Sequence, residues 1–118
     1  MKEKVIVIID GSNLYYKLKS ISIKHTSSYN YQGLVTRLTA GRQLVYCKYY
    51  VGVIRTAITD KVGQKLRKQQ VDFFNFLQHQ QIKIEKGFLM KSAGSYHEIG
   101  VDVKMAVDML VGAYERNF

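Results

Sequence analysis

Asp10, Ser12 and Asn13, grouped in the segment Asp10-Gly11-Ser12-Asn13, combine a carboxylate with hydroxyl and amide oxygens within four residues. A second acidic group lies far downstream, in His97-Glu98-Ile99-Gly100-Val101-Asp102 followed by Asp108. Clustered carboxylates with neighbouring oxygens suit a hard cation such as Mg²⁺, which takes carboxylates and retains several waters. A divalent ion so held can activate water and neutralise charge on a phosphodiester under attack. Asp108 follows Asp102 by six positions, about 120° around a helix and roughly two turns along it. One ion cannot easily take both, so Asp102 is the expected metal ligand beside Asp10, with Asp108 a further catalytic candidate. A rival reading makes Asp10 simply the cap of the helix that follows it. Glu98 is a candidate outer acceptor and His97 a candidate proton shuttle, against plain exposed loop residues for both.

Elements must bring the two acidic groups together. Val5-Ile6-Val7-Ile8-Ile9 is an unbroken apolar run before Asp10, the pattern of a strand covered on both faces in a parallel sheet. Ligands of such sheets gather beyond the carboxyl ends of the strands, where Asp10 stands. Ser12 or Asn13 is expected to cap a short helix through about Ser20, and 21–30 reads as a loop. Leu34, Val35 and Leu38 predict a helix ended by Gly41. Leu44 to Ile54 predicts the second strand. Asp60 predicts the cap of a helix whose apolar face is Val62, Leu66, Phe73 and Leu77, with Gln69 or Gln70 filling the gap. Ile82 to Met90 predicts a third strand, Lys91 to Gly100 a loop, and Val101 to Tyr114 a helix carrying Val103, Ala106, Val107, Leu110 and Val111. Strands alternating with helices imply right-handed crossovers and an α/β sheet.

The 118 residues suffice for one domain, with 18 Lys and Arg against nine Asp and Glu. A net charge of +9 favours polyanionic partners, since phosphates neutralised by Lys or Arg release counterions. Lys61, Lys65 and Lys68 recur on one helical face and could track a phosphate backbone or form an ordinary solvated face. Tyr15, Tyr16, Tyr29 and Tyr31 could stack on unpaired bases, although packing against the sheet is the expected role of any one of them. Cys47 is the single cysteine and is expected in the core. No apolar stretch reaches the length of a membrane span or signal segment, and the expected compartment is the cytoplasm. Neither a phosphate-binding glycine loop, a Gly-x-Ser-x-Gly elbow nor a histidine metal motif occurs; His25, His79 and His97 lie far apart.

Val5-Ile-Val-Ile-Ile-Asp-Gly-Ser-Asn-Leu14 resembles the opening of NYN domains, relatives of the PIN nucleases. Tyr49-Tyr50-Val51-Gly52 resembles their second strand, and Gly100-Val-Asp-Val-Lys-Met-Ala-Val-Asp-Met-Leu110 their characteristic helix. The resemblance covers essentially the whole chain. It implies a PIN-like, Rossmann-like three-layer sandwich with a mainly parallel central sheet, residues 1–118 forming a single domain truncated before its C-terminal strand or strands. It further implies an acidic site for Mg²⁺ or Mn²⁺ and hydrolysis of RNA, single-stranded RNA being the expected substrate. Asp10, Asn13 and Asp102 match the family's active-site motif and Asp108 a recurrent acid of the same helix. Ser12, Lys61, Lys65, Lys68 and Lys104 are the expected RNA contacts. Ile99 stands where the family commonly has Lys, and the family's further acids would lie beyond Phe118. The alternatives are an RNA-binding module without catalysis and an oligomerising module in which an exposed sheet edge recruits a second copy.

Overall fold

The apolar run from Val5 to Ile9 forms the centre of β1 (Lys4–Asp10), and every later element is placed relative to it. In chain order there follow α1 (Gly11–Ser20), α2 (Tyr31–Thr39), β2 (Gln43–Ile54), α3 (Lys61–His79), β3 (Lys83–Ser92), β4 (Ser95–Ile99) and α4 (Val101–Tyr114). The computed structural model describes residues 2–23, 28–54, 59–92 and 95–118, with backbone alone at 54, 88–92 and 95–99. The expected loop at 21–30 and His25 therefore fall partly or wholly outside the described residues.

Strand order in the sheet is β1-β2-β3-β4, with β1, β2 and β3 mutually parallel and β4 antiparallel to β3. The α/β architecture with a mainly parallel sheet, expected from sequence, is the one observed. The loop expected at Lys91 to Gly100 is corrected: β3 continues to Ser92, and β4 returns beside it with Ser92 opposite Ser95 and Phe88 opposite Ile99. A short edge hairpin is held by backbone bonds and tolerates polar side chains, so the segment lacks the apolar signature of a strand.

Successive side chains of a strand point to opposite faces. Val7 and Ile9 of β1, Cys47 and Tyr49 of β2, and Ile82 just before β3 pack with Leu18, Tyr31, Val35 and Leu77 of the first three helices. Right-handed crossovers between strands added in one direction put α1, α2 and α3 on this same face. Tyr31 is the hub: its ring meets Tyr49, Phe73 and Phe76 edge-on at 6.3, 5.7 and 6.4 Å between centroids, each such pair adding about 0.5–1.5 kcal/mol beyond its buried area. Tyr31 is therefore a core residue and not a base-stacking one. The alternate residues Tyr46, Lys48 and Tyr50 face α4 on the other side. The result is three layers. Among the described residues no helix is long and apolar enough to cross a membrane.

Two helix faces differ from expectation. In α3 the buried positions are Gly63, Phe74 and Leu77, while Val62 is 73% exposed and Leu66 is also exposed. Gln70 takes a sheet-facing place, its amide donating to the Gly52 carbonyl at 2.9 Å, so the buried face runs through a polar residue and misses the first two apolar ones. In α4 the buried residues are Val101 and Gly112. Its apolar periodic residues point outward. At the end of α2 the left-handed turn expected of Gly41 begins one residue earlier, with Ala40 at φ 53° and Gly41 at 78°.

Candidate functional site

The site grows from the junction of β1 and α1. Asp10 leaves the strand in an extended conformation and caps α1, in place of the expected Ser12 or Asn13. Its Oδ1 accepts from the Asn13 backbone N–H at 3.2 Å, and its Oδ2 accepts from the Asn13 side-chain amide at 3.0 Å. The cap and ligand readings of Asp10 are compatible, because a carboxylate has about four acceptor positions and two are used here. Gly11 is required for the turn. A Cβ there would lie 2.6 Å from the Tyr49 ring and 2.7 Å from the Tyr50 carbonyl oxygen. The turn is thus pressed directly onto β2. Beside it, between β1, α1 and α2, lies an open hollow of about 440 Å³ bordered by Asp10, Asn13, Leu14 and Lys17.

Asp10, Tyr50 and Glu85 are Cα partners across β1, β2 and β3, so the pleat gives them a common side, the one covered by α4. Tyr50 is fully buried, and its hydroxyl donates to Asp108 Oδ2 at 2.7 Å. Burial first, and the Asp108 acceptor second, push the phenol far above its ordinary pKa, so it stays a donor. Glu85 sits between two ammonium groups, with Lys48 and Lys104 each 3.3 Å away. Lys48 also lies over the Tyr46 ring, 4.7 Å from its centroid. Glu85 and Lys48 were not singled out from sequence, and Tyr50 was noted only as part of the second-strand segment Tyr49-Tyr50-Val51-Gly52, with no role at the site. Their signal was available in the alternation Tyr46-Cys47-Lys48-Tyr49-Tyr50, which places polar or aromatic residues on one face of a central strand, but only the register joins them to Asp10.

The structure ties Asp10 to Asn13, Asp108 to Tyr50 beside Asp10, and Lys104 to Glu85 in the same row. Asp102 lies in the first turn of α4, exposed, after Gly100 in the left-handed conformation (φ 79°) with no side-chain cap. The positive end of the helix favours its carboxylate there. It is off the sheet-facing side that carries Lys104 and Asp108. Ser12 is half-buried in the Asp10 turn. Lys61, Lys65 and Lys68 are exposed on α3, across the sheet from Lys104. The side chains of His97 and Glu98 lie outside the described residues.

Among the described residues no three His, Cys, Asp or Glu side chains converge on a point where an ion could sit. The hard oxygen donors of Asp10, Asn13 and Asp102 suit an ion held by one or two carboxylates and several waters, the usual habit of Mg²⁺. One family profile, described as NYN domain, matches residues 4–118. No curated protein and no protein of solved structure matches the chain.

Proposed function

Because the chain belongs to the NYN domain family, whose members are nuclease-like and RNA-related, we propose that it is a divalent-metal-dependent ribonuclease domain. The observation that carries this reading is the Asp10 turn. It places a carboxylate, oriented by two hydrogen bonds from Asn13, at the carboxyl edge of a parallel sheet, on a glycine that admits no side chain.

In this reading Asp10 and Asp102 hold Mg²⁺ or Mn²⁺, which when bound supplies charge neutralisation and an acidified water. Asn13 fixes the Asp10 rotamer and leaves its amide oxygen toward solvent or a phosphate. Ser12 offers a hydroxyl to the same phosphate. Asp108 acts through Tyr50, holding α4 and hence Asp102 in register with the strands, so its part is positioning. A single RNA strand crossing the carboxyl edge meets Lys61 on the α3 side and, on the α4 side, Lys104, whose charge is shared with Glu85. Lys65 and Lys68 continue the α3 track.

Cleavage of single-stranded RNA with Mg²⁺ or Mn²⁺ tests the proposal. Asp10→Asn is expected to slow it at least about 100-fold, roughly 3 kcal/mol of barrier; full activity in that variant would remove Asp10 from the site. Asp108→Asn keeps an oxygen that accepts from Tyr50 and is expected to stay within about tenfold of the parent, with unchanged metal dependence. A non-catalytic RNA-binding module is the second reading, favoured by the lack of three convergent acids among the described residues. It predicts metal-independent RNA binding and no cleavage with any divalent ion.

A further inference from the structure

α1 turns a pair of tyrosines outward in its second turn. Tyr16 is 69% exposed and Tyr15 38%. Their rings meet edge-on, 5.4 Å between centroids at 75°, and the Lys19 ammonium lies over the Tyr15 ring, 4.7 Å from its centroid. Of the four tyrosines that sequence offers for base stacking, Tyr31 is buried in the core and Tyr29 packs edge-on against it at 5.2 Å. Tyr15 has one face covered by a cation. Tyr16 keeps its ring largely in solvent, at an angle set by the contact with Tyr15.

A single exposed tyrosine on a helix needs no explanation. Charge and position give this one a ligand. From Gly11 to Ser20, α1 carries Lys17 and Lys19 and no acid. Both lysines offset the negative end of the helix, but Lys17 also borders the hollow that Asp10 and Asn13 border. Tyr16 and Lys17 follow Asn13 by three and four positions, so the three share one side of α1. They stand about 4.5 and 6 Å beyond Asn13 along the helix axis. Asn13 is itself bonded to Asp10. An aromatic face, a cation and the acidic turn therefore lie within the span of about one nucleotide. A nucleotide is the ligand that uses them all, with a flat base for the ring and a phosphate for the ammonium.

We propose that Tyr16 is a base-stacking residue for single-stranded RNA, holding the nucleotide next to the phosphate at Asp10. Tyr15 braces the ring, and Lys17 neutralises the phosphate that flanks the stacked base. The proposal takes its substrate from the ribonuclease reading but requires no cleavage. Every base has a π-face, so the subsite selects strand form and not sequence. Bases inside a duplex are already stacked on both sides and cannot offer a face to Tyr16.

Binding of a short oligoadenylate in EDTA, where a metal-dependent nuclease leaves RNA whole, tests the proposal. Tyr16→Ala should weaken binding about 5- to 150-fold, the range for losing one stacked base, with unchanged thermal unfolding. Tyr16→Phe keeps the ring face and should stay within about twofold of the parent. A base-free ribose-phosphate strand should bind the parent and Tyr16→Ala equally. Lys17→Gln should lower the salt slope of RNA binding by about one. The chain has no tryptophan, so Tyr16→Trp adds a lone emitter, which oligoadenylate should quench and the base-free strand should not.

Tyr16→Ala binding RNA as tightly as the parent, or equal quenching by the two strands, would overturn the proposal and leave the ribonuclease reading in place. A parent chain that binds no RNA in EDTA would overturn it too, and cleavage with Mg²⁺ then decides the ribonuclease reading separately. So would Tyr16→Trp emission that shifts to the blue on phosphatidylserine vesicles and ignores RNA, which would assign the pair to an anionic membrane.

Discussion

The face of the sheet under α1, α2 and α3 is closed by hydrocarbon and aromatic rings, whereas the face under α4 is fastened by a phenol–carboxylate bond and a Lys–Glu–Lys cluster. Packed rings and methyl groups attract from any direction and set the stability of the sheet. Hydrogen bonds and ion pairs act at fixed angles and distances, so they set where α4 lies more than how firmly the protein folds. Stability and placement are therefore carried by opposite sides of one sheet, and the acid of the α4 turn is positioned by the polar side.

Substitutions on the two faces should separate these contributions. Leu77→Ala, at a fully buried position, is expected to cost about 2–5 kcal/mol in urea unfolding; a loss below 1 kcal/mol would mean that this face is not the stability core. The same face should weaken in alkali. Burial raises the Tyr31 phenol from 10.0 to about 12, so its contribution is complete below pH 10 and is lost as pH rises toward 12, because the unfolded chain releases that proton first. Tyr31→Phe should flatten this decline in a pH series of denaturation midpoints. On the α4 face, Tyr50→Phe removes a bond to a charged acceptor and is expected to cost about 1.5–3 kcal/mol, with RNA cleavage falling more than RNA binding. An equal fall in both would mean that Tyr50 does not act through α4. Glu85→Gln should cost under about 1 kcal/mol, since both pairs are partly solvated; it should strengthen RNA binding by releasing Lys48 and Lys104, with a steeper salt dependence. Val62→Ser, on the exposed start of α3, should change stability by no more than about 0.5 kcal/mol, and a larger loss would restore the burial expected of it from sequence.

What the sequence disclosed follows the range over which each signal acts. The run before Asp10, the Asp60 cap with its bond to Gly63 N–H at 2.9 Å, and the extent of α4 are local signals, and they were readable. The Tyr50 and Glu85 neighbours of Asp10 depend on strand register between residues far apart in the chain, which no local pattern encodes. β4 was hidden because an edge hairpin needs few apolar residues. The orientation of α4 was hidden for another reason: periodicity reveals that a helix has an apolar side but not that this side looks inward. Gln70 shows the same limit from within α3, since a side-chain amide replaces a hydrocarbon on the buried side.

Cys47 gives the molecule an internal alarm for the opening of one face alone. The chain's single thiol is 3% exposed among the core residues, and burial lifts it to about 11. An alkylating reagent at pH 8 meets neither access nor thiolate until the ring-lined layer parts. Release of α4 would leave that layer shut and the sulfur unlabelled. Labelling rates would therefore report separation of the first three helices from the strands, and a helix undocked on the far side would pass without a signal.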